Sequence, residues 1–198
     1  HLENIYYDDI FQFRPAGMVR RAYSHLDKAF GKIDAATRVE LESSAQGLLD
    51  DQRWTERPVV RARQASMAID YASLFAAADA IASWTVPGDP PAQKNLPGVA
   101  IPAELEGAVK GDVLAVERIE GRWYIYGGAG PNEYDMSRID VVIDPGGDDH
   151  YRYPRNERPR VQIVVDWAGD DRYAGENGAA GPASGLLGVS VVIDHKGN

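Results

Sequence analysis

The chain has 198 residues, enough for one domain or two small ones with a real core. Its formal net charge of -9 argues against a general nucleic-acid or anionic-membrane binder and turns attention to divalent cations. The absence of cysteine excludes disulfides, thiolate metal sites and cysteine nucleophiles, and leaves the compartment undecided.

In chain order, the first half reads as helical. MVRRAYSHLDKAF predicts a short helix closed by Gly31 in a left-handed cap. Asp34 is placed to cap a second helix, in which Val39, Leu41, Ala45, Leu48 and Leu49 recur near helical spacing. Pro58 suits the first turn of a third helix running to about Trp84; its Ala-rich second half is apolar on most sides and is expected inside the helical unit. The most apolar stretch, SMAIDYASLFAAADAIASW, carries Asp70 and Asp79 in its middle, which argues against a membrane span. No signal peptide is evident, and numbering from His1 fits a processed or trimmed chain. Pro87 to Pro102 reads as a connection, which divides the chain into a helical domain (1–90), a linker (91–112) and a repetitive unit (113–198).

After Gly111 the period changes to two. DVLAVERIEGRWYIYGG reads as two strands joined by a tight turn at Glu120-Gly121. Then three segments superimpose: IDVVIDPGGDDHY, VQIVVDWAGDDRY and VSVVIDHKGN. Val141, Ile163 and Val191 match, as do Ile143, Val165 and Ile193, and a weaker copy, GAGPNEY, keeps Gly130, Asn132 and Tyr134. Repeats with one strong strand each bury their apolar face only by stacking. The expected fold is therefore α+β: an N-terminal α-helical unit followed by the start of a parallel β-helix, with a β-sandwich as the alternative.

Stacking would align the turn residues in columns. Asp144, Asp166 and Asp194 form one, Asp148 and Asp170 a second continued by Asn198, and Asp149 and Asp171 a third. Like charges facing each other across neighbouring strands repel. Two remedies exist: backbone N–H donors in the glycine turns, or a hard cation such as Ca²⁺ held by carboxylate and carbonyl oxygens. Tyr134, Tyr151 and Tyr173 would form an aromatic ladder, either packed as core or open to a ligand such as a sugar ring. The D-x-x-G-D-D-x-Y turns followed by V-x-V-V-I-D resemble the repeats of large secreted bacterial β-helix proteins, and loosely the calcium repeats of RTX-type solenoids. That resemblance spans about Gly127 to Asn198. It implies an extracytoplasmic setting and a longer parent chain, and supplies no catalytic residues.

Catalytic signatures are sparse. His1, His25, His150 and His195 show no short metal-binding spacing, and neither a G-x-S-x-G elbow nor a phosphate-binding loop is present. An active site is normally a departure from a repeat, which singles out the GAGPNEY copy, the Gly-rich segment Ala174 to Gly188 and the chain end. Basic RYPRNERPR reads as a solvated loop or a partner for the Asp turns.

Two functions follow, and whether the protein is an enzyme stays open between them. One is a secreted repeat scaffold or binding surface, stabilised by calcium. The other is the N-terminal chain of an autoprocessed extracytoplasmic hydrolase, peptidase or carbohydrate-active, cleaved after Asn198 by attack of its own side-chain amide. The strand at 189–193 would expose an edge, so a second polypeptide or a continuation of the chain is expected to cover it.

Overall fold

A computed structural model describes residues 15–49, 57–84, 90, 98–154, 158–176, 181–185 and 187–197. Four helices come first: α1 (Ala16–Ala29), α2 (Ala35–Leu49), α3 (Arg57–Ser66) and α4 (Tyr71–Ala82). A 3-10 turn at Ala103–Leu105 precedes nine strands: β1 (Val109–Lys110), β2 (Val113–Ile119), β3 (Arg122–Gly127), β4 (Glu133–Asp135), β5 (Val141–Asp144), β6 (His150–Tyr153), β7 (Val161–Asp166), β8 (Arg172–Gly175) and β9 (Val189–Asp194).

Local chemistry accounts for two helix starts, whereas Gly31 does not take the left-handed conformation expected of it after α1. Asp34 accepts from the Thr37 amide at 2.9 Å and from its hydroxyl at 2.7 Å, capping α2. The single long third helix expected from the sequence is instead two. Asp70 captures the Ser73 amide at 3.2 Å and hydroxyl at 2.8 Å, and so starts α4 afresh. The second half of that segment is also less enclosed than its alanines imply, since Ala77 and Ile81 are buried while Phe75 remains 70% exposed.

The strands form a five-stranded sheet, β2-β3-β5-β7-β9, and a four-stranded sheet, β1-β4-β6-β8. The β2–β3 hairpin turns at Glu120 and Gly121, both with positive φ, as its two-residue loop requires. Both sheets are mixed: β2–β3 and β1–β4 pair antiparallel, the remaining pairs parallel. Within the parallel part Val141 faces Ile163, which faces Val191, and Tyr134 faces Tyr151, which faces Tyr173.

This arrangement corrects the expected architecture. A β-helix would continue one parallel coil from its first strand to its last and expose its outer face. Here an antiparallel strand opens each sheet, and helices cover the five-stranded one. Val141, Ile143, Ile163 and Val165 pack in one core with Met18, Val19, Leu26, Ala77 and Ile81 of α1 and α4. On the opposite face, Ile125, Val142 and Val164 pack with Tyr134, Met136, Tyr151 and Tyr153. Both faces of β5 and β7 are thus buried, which explains their nearly continuous apolar runs. The fold is a compact mixed α+β arrangement. The resemblance to secreted β-helix repeats rested on turn motifs; these dictate local hairpin-sized geometry but not what packs on the sheet. The extended scaffold reading falls with it.

Candidate metal centre

The strand ends place the carboxylates. Asp144 and Asp166 are the last residues of β5 and β7 and are paired in register, so both side chains enter the same turn region. Glycines let the turns stack: a Cβ on Gly147 would strike the Gly130 carbonyl, and one on Gly169 the Gly147 carbonyl. Their φ values of +138° and +154° also disfavour other residues.

Within this stack, one oxygen from each of Asp144, Asp149 and Asp166 lies within 4.8 Å of the others, and all three residues are buried. Asp144 Oδ2 accepts from the Tyr134 hydroxyl at 2.6 Å and from Asn132 Nδ2 at 3.2 Å, while Oδ1 accepts from the Gly146 amide at 2.9 Å. Asp166 repeats the pattern, taking the Tyr151 hydroxyl at 2.6 Å and the Ala168 amide at 3.1 Å. Asp149 Oδ1 accepts from the Asn132 amide at 2.7 Å. Its Oδ2 is buried and receives no hydrogen bond from a donor among the described residues, and the same holds for Asn132 Oδ1 and Asp171 Oδ2.

Electrostatics follow from this crowding. Burial first, then the neighbouring Asp144 charge, pushes Asp149 up to about 8. Burial also raises Asp166 to about 7, with Asp171 and Asp149 adding repulsion. Asp144 rises to about 6 through burial, held back by the hydrogen bonds from Tyr134 and Gly146. Burial drives Tyr134 and Tyr151 well above the ordinary phenol range. Carboxylates this close need either a proton or a cation between them.

The remaining residues singled out from sequence separate by exposure. Asp148 and Asp170 are exposed, and Asp148 accepts the Asp170 amide at 3.0 Å, which is turn locking. Asp171 is partly buried and accepts the Asp149 amide at 2.8 Å. Asp194 is exposed and receives only a long 3.3 Å contact from Tyr173. The tyrosine rings stack, with centroids 5.2 Å apart from Tyr134 to Tyr151 and 4.8 Å from Tyr151 to Tyr173. Tyr134 and Tyr151 are fully enclosed, and Tyr173 is partly buried. Asn198 lies outside the described residues. Of the described residues of RYPRNERPR, Arg160 pairs with Asp27 of α1 at 2.7 Å and Arg152 with Asp135 at 3.7 Å.

Sequence reasoning did not count Asn132 among the site residues, although it sits in the degenerate GAGPNEY copy that departs from the repeat. It also passed over Asp140, which is buried between the Tyr23 hydroxyl and the Trp123 amide, both at 3.0 Å. No helix among the described residues is long and apolar enough to cross a membrane. Comparison with protein families, curated proteins and solved structures finds no match.

Proposed function

We propose that Asp144, Asp149 and Asp166 bind a divalent cation, Ca²⁺ above others, that fastens successive turns of the two sheets together. The observation that carries this reading is the convergence of three buried carboxylate oxygens within 4.8 Å, where Asp149 Oδ2 receives no hydrogen bond from a donor among the described residues. Calcium–oxygen bonds of 2.3–2.6 Å allow ligands up to roughly 4.6–5.2 Å apart on one ion, so oxygens within 4.8 Å of one another can share it. Asn132 Oδ1 offers an additional neutral oxygen. Magnesium retains several waters and suits a buried site less well. The burial of all three carboxylates favours a structural ion over one that meets substrate.

The test is a thermal melt of chelator-treated protein titrated with CaCl₂ or MgCl₂. At a hundredfold excess over Kd, linkage gives about 2.7 kcal/mol. For a chain of this size that is a rise of about 5–10 °C. Asp149→Asn should remove most of the rise. No shift with calcium, or an equal shift in the variant, would overturn the assignment.

A second reading is the autoprocessed extracytoplasmic hydrolase. It draws support from Asp149 beside Asp144, close enough to share a proton, since neighbouring carboxyls with raised pKa values serve acid–base catalysis. Burial weighs against it, because a substrate must reach the pair. Intact-mass analysis for a companion polypeptide checks the processing step after Asn198. Either reading includes a polypeptide along β9, an edge strand whose Val191, Val192 and Ile193 are only partly covered. An extracytoplasmic location fits a calcium site of modest affinity, because free calcium is abundant there.

A further inference from the structure

A second feature lies on the outer face of α4. Three of the five exposed large apolar side chains among the described residues fall close together: Met67, Tyr71 and Phe75, at 83%, 47% and 70% exposure. Met67 stands in the turn that leads into α4, and Tyr71 and Phe75 follow at four-residue spacing on one side of the helix. Other positions of α4 meet the core, Ala77 and Ile81 fully and Leu74 and Ala78 in part. The stripe therefore contributes little to seating α4 on α1 and the sheet.

Opposite charges bound the run. Arg63 comes four residues before Met67 and Asp79 four after Phe75; both are exposed, and neither is ion-paired among the described residues. In sequence order, Arg63, Met67, Tyr71, Phe75 and Asp79 complement themselves when reversed about Tyr71. Two copies laid antiparallel bring Tyr71 to Tyr71, Met67 to Phe75 and Arg63 to Asp79. A thioether against an aromatic ring is a favourable contact, and opposite charges at the rim fix the direction. Parallel pairing would instead set Arg63 beside Arg63 and Asp79 beside Asp79. The three apolar side chains expose on the order of 400 Å² per chain, as large as the functional patches of monomeric proteins. With exposed Ala68 and Ala72 beside them, a symmetric pair buries about 1,000 Å² in total, the lower limit for a specific interface. An anionic lipid surface fits less well, because the chain has a net charge of -9 and the stripe ends in Asp79.

We propose that the face carrying Met67, Tyr71 and Phe75 is a homodimer interface, with α4 of one chain antiparallel to α4 of a second copy across a two-fold axis at Tyr71. The small area makes the dimer weak and reversible, with a Kd on the order of 100 μM. The interface shares no residue with the Asp cluster or with β9.

The experiment is sedimentation equilibrium of the full chain at low ionic strength, from about 5 μM to about 1 mM. A monomer–dimer equilibrium is expected. Phe75→Glu, at an exposed helical position, should weaken it about tenfold or more. Arg63→Asp should weaken it about tenfold by setting like charges against each other. Adding Asp79→Arg to that variant should restore association to within about threefold, a rescue that damage to the fold would not give. A chain that stays monomeric at the highest concentration overturns the proposal and leaves the stripe to a different occupant. A dimer that Phe75→Glu and Arg63→Asp both leave unchanged also overturns it, because the copies then meet elsewhere.

Discussion

The Tyr151 hydroxyl donates to Asp166 Oδ2 at 2.6 Å, across the space between the four- and five-stranded sheets. Tyr134 does the same to Asp144 at 2.6 Å, so each tyrosine in the buried stack ties one sheet to a carboxylate at the strand end of the other. A short hydrogen bond to a charged acceptor contributes about 1.5–3 kcal/mol when buried. Tyr151→Phe keeps the ring in its stack but removes the donor. Urea denaturation should show a loss of that size. Tyr173→Phe, at 3.3 Å from exposed Asp194, should cost under about 1 kcal/mol. Equal losses in the two variants would mean the hydroxyls contribute nothing specific.

Asp149→Asn should act in opposite directions with and without cation. In metal-free protein it removes a carboxyl whose ionisation is opposed by burial and by Asp144, and should stabilise by on the order of 1–3 kcal/mol at neutral pH. With saturating calcium the wild type should overtake it. Parallel melts of both proteins in chelator and in CaCl₂ read this crossing directly.

Asp140 supplies a pH dependence away from the Asp144, Asp149 and Asp166 cluster. Burial raises it from 3.8 to about 6, although the Trp123 amide and Tyr23 hydroxyl favour its charged form. A folded pKa above the unfolded one means that the folded state holds the proton more tightly. That contribution is complete below about pH 4 and is lost as pH rises through about 6. Two pKa units correspond to on the order of 2–3 kcal/mol. Asp140→Asn should reduce the difference in stability between pH 4 and pH 8 by that order, whatever its absolute effect on folding. A stability difference between pH 4 and pH 8 that is the same in Asp140→Asn and the wild type, from chemical denaturation, would sink this assignment.

The turn glycines should differ sharply in tolerance. An alanine at Gly169 meets the Gly147 carbonyl and a φ of +154°, whereas a Cβ at Gly130 meets nothing within 4 Å. Gly169→Ala should cost on the order of 1–3 kcal/mol or more, and Gly130→Ala less than about 1 kcal/mol. Melting temperatures of the two variants decide the point.

Strand register and the start of α2 were legible in the sequence because both follow short-range rules. Alternation of β-branched residues fixed which residues of β5, β7 and β9 stand opposite one another, and Asp34 marked the start of α2. The cap at Asp70 shows where pattern reading fails. A continuous apolar run looked like one helix, yet Asp70 offered the backbone a better local partner and divided it.

Acidic columns were likewise visible in the amino-acid sequence, but not the choice among their members. Asp148 and Asp149 are adjacent and chemically identical, yet successive side chains in the turn diverge, leaving the first in solvent and the second in the cluster. Repeat position likewise equates Asp144, Asp166 and Asp194, whereas their burial depends on whether another strand lies beyond them. Nor does any local pattern reveal that α1 and α4 cover the five-stranded sheet, or that Tyr23 reaches Asp140 from 117 residues away. Burial, charge crowding and long-range hydrogen bonding are properties of what stands next to a residue in space. They arise only when the chain is packed, and here they turn an evenly repeated Asp motif into one buried centre.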